Sequence, residues 1–124
     1  MKQPVETLNA PKAIGPYSQA IVAGQTIYVS GQLPINPTDG IIPSETVDQA
    51  CQALRNIQAI LEAAGSSLDD VVRVGIFLTD LEDFTVVNEI YQSFFSPPYP
   101  ARSTVEVMAL PKAAKLEIEA IAVK

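Results

Sequence analysis

The run VVRVGIFLTD at residues 71–80 constrains the fold more than any other stretch. It is apolar on both faces apart from Arg73, which predicts a central strand with covered faces. Such a strand needs paired neighbours and a packing layer, and the flanking sequence offers both. YSQAIVAG alternates into a short strand, and Ala23-Gly24-Gln25 makes a plausible turn. TIYVSGQLP is a second strand, ended by Gly31 and Pro34. INPTDGIIPSE reads as a loop.

Two helices alternate with these strands. Thr46 and Gln49 fit a capping box, with Ser44 as a competing cap. Val47, Ala50, Leu54, Ile57, Leu61 and Ala64 then recur at three- and four-residue steps as one apolar stripe, and Gly65 suits a left-handed terminus. Asp80 or Asp83 can cap a second helix, whose stripe is Phe84, Val87, Tyr91 and Phe94 and which Ser96-Pro97-Pro98 ends. RSTVEVMAL, a turn at Pro111-Lys112 and KLEIEAIAV complete the order β-β-α-β-α-β-β. Two βαβ patterns predict an α+β fold, with both helices on one face of a mixed sheet.

Composition narrows the chemistry. At 124 residues with 48% apolar content, the chain makes one domain, residues 1–124, with a core of its own. No apolar run reaches the length of a membrane helix, and MKQPVETLNAPK has no signal-peptide core, so a cytoplasmic, non-membrane protein is expected. The net charge of −6, with no Lys/Arg cluster, disfavours a nucleic-acid partner. One cysteine, Cys51, excludes an internal disulfide, and its place beside the first stripe suits a core thiol. The chain has no histidine, which removes every Ser–His or Cys–His pair and every His-based metal site. No glycine-rich phosphate loop is present. Chemistry must run on carboxylates, amines, hydroxyls, guanidinium groups, backbone and water.

Arg102 is one of three arginines and follows three prolines within residues 96–100. Alternation puts Ser103, Val105, Val107 and Ala109 on one face of its strand, and Arg102, Thr104, Glu106 and Met108 on the other. In the last strand Leu116, Ile118, Ala120 and Ala122 oppose Glu117, Glu119, Ile121 and Val123. The first set of each strand suits packing under helices. The second sets would share an uncovered face, through a short hairpin between the strands. Leaving Met108, Ile121 and Val123 wet is costly, which predicts an oligomer. On that face Arg102 and Glu117 either form a structural ion pair that fixes an interface or build a small-anion site. In the second case Arg102 binds a carboxylate in bidentate fashion and Glu117 acts on water or substrate.

The motifs NAPKAIGPYSQA, VSGQLP, YPARSTVEV, ALPK and LEIEAIAV resemble those of the RidA/YjgF family of reactive-intermediate deaminases, in order and spacing, from about residue 8 to 123. The resemblance implies a chorismate-mutase-like fold and a homotrimer with a cleft between each pair of subunits. It also implies cofactor-free and metal-free hydrolysis of enamine/imine intermediates, 2-aminoacrylate and 2-aminocrotonate, to 2-oxo acids and ammonia. The family's carboxylate-binding arginine falls on Arg102 and its catalytic glutamate on Glu117. Its pocket aromatic falls on Tyr17, its ligand-contacting turn on Ser30 and Gly31, its helix asparagine on Asn88 and its pocket-wall proline on Pro111. Many members carry a cysteine two residues after the arginine. Here Thr104 stands there, so a thiol nucleophile is impossible, while a hydroxyl or backbone contact to substrate remains available. The competing readings are a non-catalytic protein that binds 2-oxo acids, and a ribonuclease, which the charge and missing histidine oppose.

Overall fold

The computed structural model describes residues 1–124. Six strands form one sheet: β1 Lys2–Val5, β2 Ala20–Ala23, β3 Thr26–Gln32, β4 Val71–Leu78, β5 Ala101–Glu106 and β6 Leu116–Val123. Their spatial order is β1-β2-β3-β6-β4-β5. β4 and β5 pair in parallel and the other neighbours are antiparallel. Two helices, α1 Thr46–Ala63 and α2 Phe84–Phe94, pack on each other, and α1 also packs on β3 and β6. The α+β mixed sheet with two helices therefore stands as expected. β1 is an addition, because KQPV carries a proline and too few residues to signal a strand.

The core lies between helices and sheet. Leu54, Ile57, Ile60 and Leu61 of α1 meet Ile27, Val74, Ile76, Leu116 and Ile118, all fully buried. Truncating any one to alanine typically costs about 2–5 kcal/mol. Gly65 has φ +77°, the left-handed conformation read for it. The helix starts differ from expectation. Glu45 is the N-terminal cap of α1, without a side-chain bond. The Gln49 side chain is instead buried, donating to Pro43 O and accepting from Lys115 N. Val47, placed in the apolar stripe, is exposed, while Gln49 and Asn56 are buried. Asp80 accepts from Glu82 N and caps the 3-10 turn Leu81–Asp83, and Asp83 makes no side-chain cap of α2.

β5 and β6 do not form a hairpin, because β4 lies between them. The strand register also reverses the expected face of β5. Val74 pairs with both Arg102 and Ala120, and Ile76 with Thr104 and Ile118. Paired residues share a face, so Arg102 and Thr104 point to the helix side. Phe77 pairs with Val105 and Glu117. Val74 and Phe77 are an odd number of residues apart, so Arg102 and Glu117 lie on opposite faces of the sheet. An Arg102–Glu117 ion pair within one chain is thereby excluded. β5 also stops at Glu106, leaving Met108 outside the sheet and fully exposed. The uncovered face keeps its apolar character: Tyr28, Val105 and Val123 are 50%, 45% and 42% exposed. No helix is long and apolar enough to cross a membrane.

A candidate active site in two halves

The candidate residues fall into two clefts. The first, about 910 Å³, is lined by Tyr17, Ser30, Gly31, Pro111, Lys112 and Glu117 among others. The second, about 460 Å³, is lined by Asn88, Tyr91, Gln92, Tyr99, Pro100 and Arg102.

A bulge in β3 organises the first cleft. Val29 pairs with Ala120 and Gln32 with Ile118, so three steps on β3 oppose two on β6. One residue is extra, and the ladder opens at Ser30 and Gly31. β3 ends at Gln32, between the Gly31 and Pro34 read as its stop, so Ser30 and Gly31 lie near its end. Ser30 is fixed by its N–H to Gln19 O at 2.9 Å and its hydroxyl to Ser18 O. Gly31 is tied to Glu117 sterically. A Cβ added to Gly31 would lie 2.9 Å from Glu117 Cδ and Oε2. The carboxyl thus occupies the space a side chain would fill.

The remaining walls are loops held by neutral amides. The four buried polar side chains are Gln19, Gln32, Gln49 and Asn56. Gln19 donates to Thr7 O, Ala10 O and Pro11 O and accepts from Thr7 N at 2.7 Å, clamping the segment that leads to Tyr17. Gln32 donates to Ser30 O at the bulge. Asn56 donates to Leu33 O and Ile35 O. Gln49 holds Lys115 N, between Pro111 and Glu117. An amide can bond both backbone donors and acceptors without the cost of burying a charge. Tyr17 itself is half-exposed, its N–H donating to Gly15 O and its hydroxyl accepting from Ile14 N at 3.3 Å. Gly15 has φ +121°, which a side chain would oppose. Lys112 and Ala113 hold φ of 59° and 55° without being glycine, a local strain of roughly 1–2 kcal/mol each beside the cleft.

Burial pushes the Glu117 carboxyl above its ordinary range, and the Glu119 carboxylate on the same strand face pushes it further. Such a group can hold and release a proton nearer neutral pH than a free carboxylate can. Glu119 is seated against Gly75, where an added Cβ would lie 3.0 Å from its Oε2.

In the second cleft Arg102 is part-buried and donates one hydrogen bond, from Nη1 to Asn88 Oδ1 at 2.8 Å. Its guanidinium carbon lies 4.6 Å from the centre of the Tyr91 ring and 5.5 Å from that of Phe84. No carboxylate of its own chain pairs with it. A guanidinium offers five N–H donors, so most of its capacity for a planar oxyanion is free. The Tyr91 hydroxyl and Thr104 Oγ1 are buried without partners. Burial raises the Tyr91 phenol, and the Arg102 charge pulls it partly back. Thr104 lies beside Arg102 on the same strand face but outside the cleft lining. No three His, Cys, Asp or Glu side chains gather into a metal-holding group.

Of the residues singled out from sequence, Tyr17, Ser30, Gly31, Pro111 and Glu117 thus meet in one cleft, and Asn88 meets Arg102 in the other. Sequence reasoning placed Phe84 and Tyr91 in the core stripe only. Their spacing with Asn88, at i, i+4 and i+7, was the available signal that one helix face holds a charged partner. Of the buried amides, only Gln49 drew a reading from sequence, as a capping-box partner.

The Escherichia coli K12 protein named 2-iminobutanoate/2-iminopropanoate deaminase is 49% identical over 127 residues, covering 100% of this chain and 99% of that protein. The crystal structure of the E. coli YjgF gene product matches with a TM-score of 0.95 at 49% identity, covering 98% of each chain. That of E. coli TdcF with bound serine matches with a TM-score of 0.95 at 48% identity, again over 98% of each chain. A family model described as Endoribonuclease L-PSP matches residues 7–124. With likeness of this extent in sequence and in fold, the chain belongs to that family, the RidA/YjgF group whose motifs it carries.

Proposed function

We propose that the protein is a 2-iminobutanoate/2-iminopropanoate deaminase whose active site joins the Glu117 cleft of one chain to the Arg102 cleft of a neighbour. The observation that carries this reading is Arg102. It is a part-buried cation with no acid partner in its chain, held by an amide and two aromatic rings and lining an open cleft. The deaminase name of a 49% identical relative supports the activity, and the serine bound to TdcF supports a small amino-acid-like ligand.

In this scheme Arg102 anchors the substrate carboxylate through two in-plane N–H groups, and Asn88 keeps the guanidinium in place. An enamine such as 2-aminoacrylate or 2-aminocrotonate takes a proton on carbon and becomes the iminium ion. A neutral imine reaches the same ion by protonation on nitrogen, and the iminium carbon is electrophilic. Glu117, with its raised pKa, orients a water and takes its proton as the oxygen adds. Collapse of the carbinolamine releases ammonia and leaves the 2-oxo acid. Tyr17, Ser30, Gly31 and Pro111 shape the cleft around the reacting carbon, and Thr104 supports the strand beneath Arg102. The residues suffice without a cofactor.

Arg102 and Glu117 lie on opposite faces of one sheet, so a site needing both takes them from two copies. The exposed Tyr28, Val105 and Val123 supply an apolar surface for that contact. Repeating the contact head to tail closes a ring, and the family resemblance makes that ring a homotrimer, in a cytoplasmic protein. RNA cleavage fits poorly with a chain of net charge −6 and no histidine.

The test adds the protein to a serine/threonine dehydratase with its amino-acid substrate and follows 2-oxo acid release. Acceleration that disappears in Arg102→Ala supports the reading. An Arg102→Ala protein that accelerates as well as its parent overturns it, and binding of 2-oxobutanoate without acceleration shows a sensor instead of an enzyme.

A further inference from the structure

We propose that Tyr91 is a positioning residue for substrate recognition. With Phe84, it packs an aromatic ring against the Arg102 guanidinium and fixes the plane in which that group meets a carboxylate. The proposal rests on the reading of Arg102 as the carboxylate anchor.

Phe84, Asn88 and Tyr91 lie on one stripe of α2, a turn apart. Seven residues of helix span about 10 Å. The guanidinium carbon lies over both rings, 5.5 Å from the centre of Phe84 and 4.6 Å from that of Tyr91. Asn88 takes one Nη1 hydrogen at 2.8 Å. With two rings packed against it and one corner tethered, the free N–H edge is what remains for the cleft. An arginine on an open surface would surrender its rotamer freedom on binding. This one is ordered before the ligand arrives. Tyr91 is only 4% exposed and its hydroxyl has no partner, so the ring and not the hydroxyl makes the contact.

The test uses the assembled full chain and 2-oxobutanoate, the stable product of the proposed reaction. Tyr91→Leu removes the ring and should raise the Kd about threefold to thirtyfold, the span of a cation–π contact from exposed to desolvated. The kcat should fall by no more than about twofold, because the carboxylate is held alike in ground state and transition state. Tyr91→Phe keeps the ring and should return the Kd to within about twofold of the parent. Phe84→Leu, at the longer contact and a less buried site, should raise the Kd by a smaller factor. It carries the test if Tyr91→Leu does not fold.

An unchanged Kd in a folded leucine variant overturns the proposal. So does a Tyr91→Phe protein as impaired as Tyr91→Leu, which would point to the hydroxyl. Arg102→Ala separates this proposal from the reading beneath it. If binding is lost there but the Kd is unchanged in Tyr91→Leu, the positioning role is wrong and the anchor stands. If binding survives in Arg102→Ala, the anchor itself is wrong.

Discussion

Replacing Gly31 by alanine should damage catalysis while leaving stability almost unchanged. Gly31 does not need a left-handed backbone; it needs the absence of a Cβ. An added methyl would lie 2.9 Å from Glu117 Cδ and Oε2 and 3.2 Å from Cγ. Ordinary carbon contacts begin near 3.5 Å, so the carboxyl must retreat by about 0.5–1 Å. The obstacle is the end of a flexible side chain, so moving it is cheap. Gly→Ala also stabilises by about 0.4–1 kcal/mol where the backbone accepts it, by restricting the unfolded chain. The two effects roughly cancel, leaving a net change within about 1 kcal/mol. Catalysis is less tolerant, since a displacement of about 1 Å in a reacting group can cost about a hundredfold. We expect the coupled dehydratase assay to fall roughly ten- to a hundredfold in Gly31→Ala. Activity within twofold of the parent in Gly31→Ala would refute the reasoning.

Other outcomes follow from the same geometry. Glu117 has a folded pKa raised by burial and by Glu119. The native state therefore binds its proton more tightly than the unfolded chain does, and stability falls as pH rises through that window. Glu117→Gln should melt above its parent at pH 7, and the two should converge below about pH 4, in thermal scans across pH. Gln19→Leu leaves Thr7 N and the carbonyls of Thr7, Ala10 and Pro11 short of partners. It should cost about 2–4 kcal/mol and open residues 7–13 to protease nicking. Thr104→Val removes a buried hydroxyl without a partner at equal volume and should raise stability by about 1 kcal/mol in denaturant titration. Val123→Lys puts a charge on the uncovered face and should shift the assembly to smaller species in sedimentation.

Much of this fold was legible because its signals are local. The two helix stripes, the all-apolar β4 and the alternation of β6 each arise within one segment, and each appears where its pattern put it. The placement of β5 was not legible, because it depends on pairing between distant segments. Chain order suggests a β5–β6 hairpin. The crossover through α2 instead lays β5 in parallel beside β4, at the sheet edge, and β6 fills the slot between β3 and β4. Alternation told which residues of β5 go together, and only the register with β4 told which way they face. Arg102 was placed on the uncovered face with Glu117, because two of the groups that hold it, Phe84 and Tyr91, read as an ordinary apolar helix stripe. Gln49 was read as a cap, and Asn56 drew no reading, for a related reason. Their burial is set by loops they hold, Pro43 and Lys115 for one and Leu33 and Ile35 for the other, and those contacts leave no periodic trace. The site chemistry was read from motif resemblance, while its division between two faces came only from the register.

That division is the central claim, and mixing two inactive chains tests it most directly. Arg102→Ala keeps Glu117, and Glu117→Gln keeps Arg102. Each variant alone should be inactive in the dehydratase-coupled assay. Unfolded together in equal amounts and refolded, they should assemble at random. A site drawn from two chains then receives its intact Glu117 from one variant and its intact Arg102 from the other in about a quarter of cases, whatever the ring size. Activity restored to about a quarter of the parent's is the predicted result. A refolded mixture as inactive as its components would contradict it.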